Sequence, residues 1–240
     1  MALMPDSKTS AGLFSLPWRM LVTPVSAWRQ VPAQAFPWPA IFASWLLSAL
    51  GWLLTARQLS ELSQTAGLGS SKALYSGVGL VALAVLQYPL ALGIICGLGL
   101  LAKLGLAILG HRLSFCSAAA LAGYALLPAT LGNFLGRVLF FFAQPLAQDA
   151  RQAIALQLKP FTLGLAEFLP QFSWPLSLPW FAATYFDFFG LWALMLVFLG
   201  LRHFLGLGRF AAVWACSVLV LLLLLVLTGL WQAAQGIAAP

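Results

Sequence analysis

The chain has 240 residues, of which 62% are hydrophobic and 7% charged, with a formal net charge of +7. A soluble domain carries about 25% charged residues, so this composition excludes a water-facing globular protein: the polar surface is too small to cover one. The positive balance does not indicate a nucleic-acid partner, because the twelve basic residues are spread singly along the chain and form no cluster or stripe.

In lipid, every backbone N–H and C=O must be satisfied internally, which leaves helices or a closed barrel. The apolar runs here are continuous and lack the period-2 alternation of barrel strands. The expected fold class is therefore an all-α integral membrane protein, a bundle of about five transmembrane helices. Two units are expected: a cytoplasmic N-terminal segment over 1–35 and a five-span membrane domain over 36–235.

The first segment contains Pro5, Pro17, Pro24 and Pro32 and no apolar core before the first span, which argues against a cleavable signal peptide. Within it, Leu16 to Gln30 mixes Trp18, Met20, Leu21, Val25 and Trp28 with Arg19 and Arg29. This pattern reads equally as an interfacial helix bent at Pro24 or as an apolar linker.

The first span is expected from about Pro39 to Thr55, followed by a polar stretch, Arg57 to Lys72. The next apolar run, Ala73 to Gly110, is too long for one span and short for two. Gln87, Tyr88 and Pro89 interrupt it. The preferred reading is a surface or partly inserted helix from Leu74 to Leu86 and a span from Leu90 to Leu109, with a hairpin of two short spans as the alternative. The third span is expected from Ser114 to about Phe142, kinked at Pro128. A long connection, Gln144 to Ser177, combines a weak helical pattern at Leu146 to Leu158 with Pro160, Pro170 and Pro175 among aromatic residues that suit the headgroup level. The fourth span covers Trp180 to Leu201. The fifth covers Phe210 to Trp231, twenty-two residues without a charge.

Five spans place Lys8, Arg19, Arg29, Lys103, Arg112, Arg202 and Arg209 on one side and Arg57, Lys72, Arg151 and Lys159 on the other. That bias puts the N-terminus in the cytoplasm. Two stretches, Leu109 to Leu113 and Gly200 to Phe204, share Gly, Arg and His near short cytoplasmic turns. They suggest an internal duplication only weakly, since unrelated hairpins use the same residues.

Asp187, inside the fourth span, is the most informative single residue. A carboxylate at that depth costs ~2.5–3.5 kcal/mol on insertion scales and faces a partner or a cavity. Arg137 in the third span is the expected partner, at a compatible depth. Leu126, Thr130, Asn133 and Arg137 recur at helical spacing, so Asn133, Thr130 and Tyr124 complete a candidate intramembrane polar cluster. A structural anchor is favoured over an ion or substrate contact, because no second carboxylate lies nearby. Gly132 with Gly136, and Gly93 with Gly97, form small-xxx-small pairs that suit helix packing within the chain or between copies. The three cysteines, Cys96, Cys116 and Cys216, sit in apolar segments without metal or disulfide spacing. His111 and His203 lie at helix ends beside an arginine, where a positive side chain is favoured. No cofactor, metal or catalytic constellation is expected, and the protein is read as no enzyme.

Three short segments, in order, resemble one family. Met20 to Pro24 looks like a motif ending in Pro before the first span. Leu121 to Pro128 looks like a Tyr-to-Pro segment in the third. Phe186 to Trp192, followed by Gly200 and Leu201, looks like an Asp and Trp signature in the fourth. Together they resemble the Yip (Ypt/Rab-interacting protein) membrane domain. The resemblance implies a five-span fold and an integral membrane location, and supplies no established catalytic site. Eukaryotic members are linked to Rab GTPases through long cytosolic N-terminal regions, whereas some thirty-five residues precede the first span here. That departure points to a bacterial inner-membrane member. The expected function is non-enzymatic, organising or assisting membrane components through helix and partner contacts; the expected partners are the lipid bilayer and a membrane protein or second copy. The alternative is a transporter or lipid-translocating protein with a polar path near Asp187.

Overall fold

The computed structural model describes residues 15–32, 36–65, 77–143 and 188–238. They form seven helices and, among the described residues, no strand. Two short helices come first among the described residues, α1 (Ser15–Val22) and α2 (Pro24–Trp28). Five long ones follow: α3 (Trp38–Thr65), α4 (Gly77–Ile108), α5 (Phe115–Ala143), α6 (Phe188–Leu205) and α7 (Arg209–Ala238). Each of the five holds a stretch long and apolar enough to cross a membrane. The expected five spans are therefore present. Gln144 to Ser177 and the first residues of the expected fourth span lie outside the described residues.

The run from Ala73 to Gly110 departs from its expected division. Residues 77–108 form one continuous helix, with Pro89 inside it. Neither a separate surface helix nor a hairpin is formed. Pro89 has no N–H to give the Val85 carbonyl and crowds the preceding turn. The neighbouring span supplies a donor at that turn: Trp45 Nε1 on α3 donates to the Ala84 carbonyl at 2.7 Å. Its indole also meets Tyr88 edge-on, with ring centroids 6.0 Å apart. The indole bond falls on the Ala84 carbonyl, next to the Val85 carbonyl that the proline leaves without its helical donor, and ties α3 to α4 at this turn.

The turns obey local rules. At the end of α4, Gly110 takes φ +79°. His111 N–H bonds the Leu106 carbonyl and Gly110 N–H the Ala107 carbonyl. This is a Schellman cap, which needs the left-handed conformation that glycine adopts without penalty. Ser114 then caps α5: its Oγ accepts the Ser117 N–H at 3.1 Å. In α6 the corresponding turn glycine is Gly206, at φ +62°, while Arg202 and His203 are still helical. Arg112 and His111 instead lie beyond their helix. The two similar stretches thus occupy different structural places and do not behave as repeats.

The central helix is α5. Of its span, 67% is buried, against 17% for α7. It packs on α3, α4 and α6, while α7 packs on α4 and α6. Close approach is set by small residues, as expected where lipid removes the hydrophobic drive between helices. A Cβ on Gly99 of α4 would stand 2.8 Å from Ala119 Cα of α5, and one on Gly132 of α5 2.7 Å from the Phe189 ring of α6. Gly93 and Gly97 meet nothing within 4 Å. The small-residue pair at 93 and 97 therefore makes no packing contact within the described chain; the α4 contacts use Gly99 and Gly105 instead.

The N-terminal pair of helices does more than lie on a surface. Leu16, Met20, Ala27 and Trp28 are buried, while Trp18, Val22 and Val25 are exposed. One face of this short amphipathic unit docks on the bundle and the other is apolar with Arg19 and Arg29 beside it. Pro24 separates the two helices, as its missing N–H demands. Trp28 is the anchor. It meets Tyr124 of α5 and Phe204 of α6 edge-on, at 5.7 and 5.5 Å between centroids. Gly200 makes the room: a Cβ there would lie 2.8 Å from the indole. The carbonyl of Val31, just beyond, accepts from His203 Nε2 at 3.3 Å, which places the ring proton on that nitrogen.

Candidate functional site: a polar seam between two spans

Helices α3 and α5 run parallel, and their contact carries a seam of four polar side chains, Ser44, Thr55, Thr130 and Arg137. Near the middle, Thr130 Oγ1 donates to the Leu126 carbonyl at 2.7 Å. Its oxygen is left to accept from Ser44 of α3, at 3.5 Å. Further along, Thr55 Oγ1 donates to the Gly51 carbonyl at 3.0 Å and accepts from Arg137 Nη1 at 3.4 Å. Thr55 is fully buried. The Arg137 guanidinium lies over the Trp52 indole, 4.1 Å from the ring centroid. Gly51 admits the arginine stem: a Cβ at that position would stand 2.7 Å from Arg137 Cδ.

Arg137 sits two residues before the end of the α5 span, Phe115–Leu139. Its stem therefore lies along apolar surface near the far interface, where the charge costs less than at mid-depth. The seam can hold a cation and fix the rotation of α5 against α3. Among the described residues, no group of three metal-ligating residues is found.

The expected cluster is only partly assembled here. Thr130 and Arg137 share one ridge of α5, about 20° apart by helical geometry, and both face α3. Asn133 falls about 60° from Thr130 and about 40° from Arg137 around the helix and is exposed. Tyr124 is buried, but against Trp28 at the opposite end of α5. Asp187 lies outside the described residues. The ring of Phe189, two residues on, packs at Gly132, roughly 140° around α5 from Arg137. Sequence reasoning missed the α3 contributions, Ser44, Gly51, Trp52 and Thr55. They look like ordinary residues of an apolar span, and the signal available was Trp and Thr three apart, one turn from Gly51.

Fold and seam together define a polytopic α-helical membrane protein with a polar contact between two of its spans. The model of the Yip1 domain matches residues 18–230. The chain belongs to the Yip1 domain family. Neither a curated protein nor a solved structure is significantly similar to it.

Proposed function

We propose that this Yip1 family membrane protein is non-enzymatic and acts by contact, organising or assisting other membrane components. The observation that supports this reading is the use of the polar seam: Ser44, Thr130, Thr55 and Arg137 bond to one another or to adjacent backbone, and Arg137 stacks on Trp52. These contacts suit an anchor rather than a path. The partner is a membrane protein or a second copy, and the location is a bacterial inner membrane. The end bearing α1, α2 and the turns at Gly110 and Gly206 faces the cytoplasm, in line with the basic bias of the loops.

The test is affinity capture of the tagged full chain from mild detergent, with an unrelated five-span protein as control. A reproducible, stoichiometric membrane partner is expected. A chain that remains alone and monodisperse in every mild detergent overturns the reading. Solute or lipid flux in reconstituted vesicles that is abolished by Asp187→Asn would establish the transport alternative instead.

A further inference from the structure

Helices α5, α4, α7 and α6 close a ring, because α7 packs on α4 and α6 rather than on α5. The space left between α5 and α7 is a half-open cavity of about 220 Å³, lined by apolar side chains. Small residues hollow it: Ala102, Ala125, Ala129, Gly190 and Ala193 all line it. It contains none of the polar residues of the seam. On α7 its lining runs from Cys216 to Leu224.

The N-terminus of α7 stands over this cavity. Arg209 is the first residue of the helix and lies within about 20° of both Cys216 and Val220 by helical geometry. It is exposed. The preceding residue is Gly208, which has no side chain to cap the helix, and the space beside its Cα is open. The first N–H groups of a helix lack intrahelical acceptors and favour phosphate. No Asp or Glu occurs in α4, α5, α6 or α7, and Arg19, Arg29, Lys103, Arg112 and Arg202 are exposed on the same end.

The depths match one leaflet. Cys216 lies about 10 Å along α7 from Arg209, and Leu224 about 22 Å. Half a bilayer, headgroups included, is about 20–22 Å thick. The cavity therefore starts below the headgroup level and ends near the midplane.

We propose that this groove is a binding site for one anionic glycerophospholipid of the leaflet on the Arg209 side. One acyl chain fills the space between α5 and α7, and the phosphate sits at Arg209 and the open first turn of α7. The apolar lining selects hydrocarbon, the one-leaflet depth selects a lipid over a spanning helix, and the basic end selects a negative headgroup.

The experiment is native mass spectrometry of the purified full chain with phosphatidylglycerol or phosphatidylcholine of identical acyl chains. Retention of one phosphatidylglycerol is expected, preferred about fivefold, as suits the loss or gain of one basic contact near the surface. Arg209→Gln, at an exposed position, is expected to abolish the preference. Ala193→Leu and Ala129→Leu, at two depths of the cavity, are expected to abolish retention while the thermal transition of at least one remains as in the parent. An unchanged headgroup preference in Arg209→Gln overturns the headgroup site. Undiminished retention in both filled variants overturns the groove, as does a dimer that excludes lipid.

Discussion

The Arg137 guanidinium on α5 is stacked on the Trp52 indole of α3, 4.1 Å from the ring centroid, with Thr55 hydrogen-bonded to its Nη1 from the same helix. A cation over an indole is worth ~0.5–1 kcal/mol when exposed and ~2 kcal/mol or more when desolvated. Trp52→Leu is expected to lower the thermal stability of the detergent-solubilised protein by roughly that larger amount. In an Arg137→Gln background the same substitution should cost distinctly less. Thermal denaturation of the four members of this cycle measures the coupling, and strictly additive losses would refute the stacking as a stabilising contact.

The ion pair between Asp187 and Arg137 is a proposal that a second cycle tests. Because Arg137 leans on α3, the pair requires the Asp187 carboxylate to reach that side of α5. Breaking a buried pair from one side costs ~3–5 kcal/mol, while removing both charges can be nearly neutral. Asp187→Asn and Arg137→Gln are each expected to destabilise, and the double variant to recover much of the loss. Losses that simply add assign Arg137 wholly to α3.

Trp28 is expected to be the most costly single truncation in the N-terminal segment. It is almost fully buried between α5 and α6, and large-to-small changes of this kind cost ~3–5 kcal/mol. Trp28→Ala should release α1 and α2 from the bundle and expose them to limited proteolysis. Gly200→Val, which removes the space the indole occupies, should do the same from the other side. Protection of the segment equal to that in the parent protein would show that Trp28 is not its anchor.

The Trp45 indole is expected to stabilise the contact of α3 with α4 independently of Pro89. Trp45→Phe keeps the ring against Tyr88 but deletes the donor to the Ala84 carbonyl, a loss of ~0.5–1.5 kcal/mol for a neutral hydrogen bond. Pro89→Leu restores an N–H that faces the Val85 carbonyl and leaves the Ala84 bond in place, so the loss is expected to be about the same in that background. The readout is thermal stability of the two single variants and the double. A distinctly smaller cost of Trp45→Phe in the Pro89→Leu background would overturn this and show that the indole bond compensates the proline.

The sequence by itself determined the class, the five spans and the segment boundaries near Thr55, Ile108, Phe115 and Phe210. The reason is that a bilayer imposes length and apolarity on each span separately, and both are written residue by residue. The caps at Ser114 and Gly110, seen in the structure, are equally local, since they depend on neighbours a few positions away. Tertiary structure decided everything that depends on rotation about a helix. The stripe of Thr130, Asn133 and Arg137 gave a depth for each residue, yet Asn133 turned outward and Arg137 turned to Trp52, because packing against α3 sets the azimuth of α5. Gly93 and Gly97 had the same spelling as contact glycines but face open space, while Gly99 meets the backbone of α5. Trp28 read as an interfacial aromatic and became a core residue because Gly200, far along the chain, leaves it room. Pro89 read as an interruption, yet α4 runs through it, and an indole on another helix bonds the preceding turn. Each of these outcomes rests on a partner from a distant segment, and no local pattern in the chain specifies which partner a given face will meet.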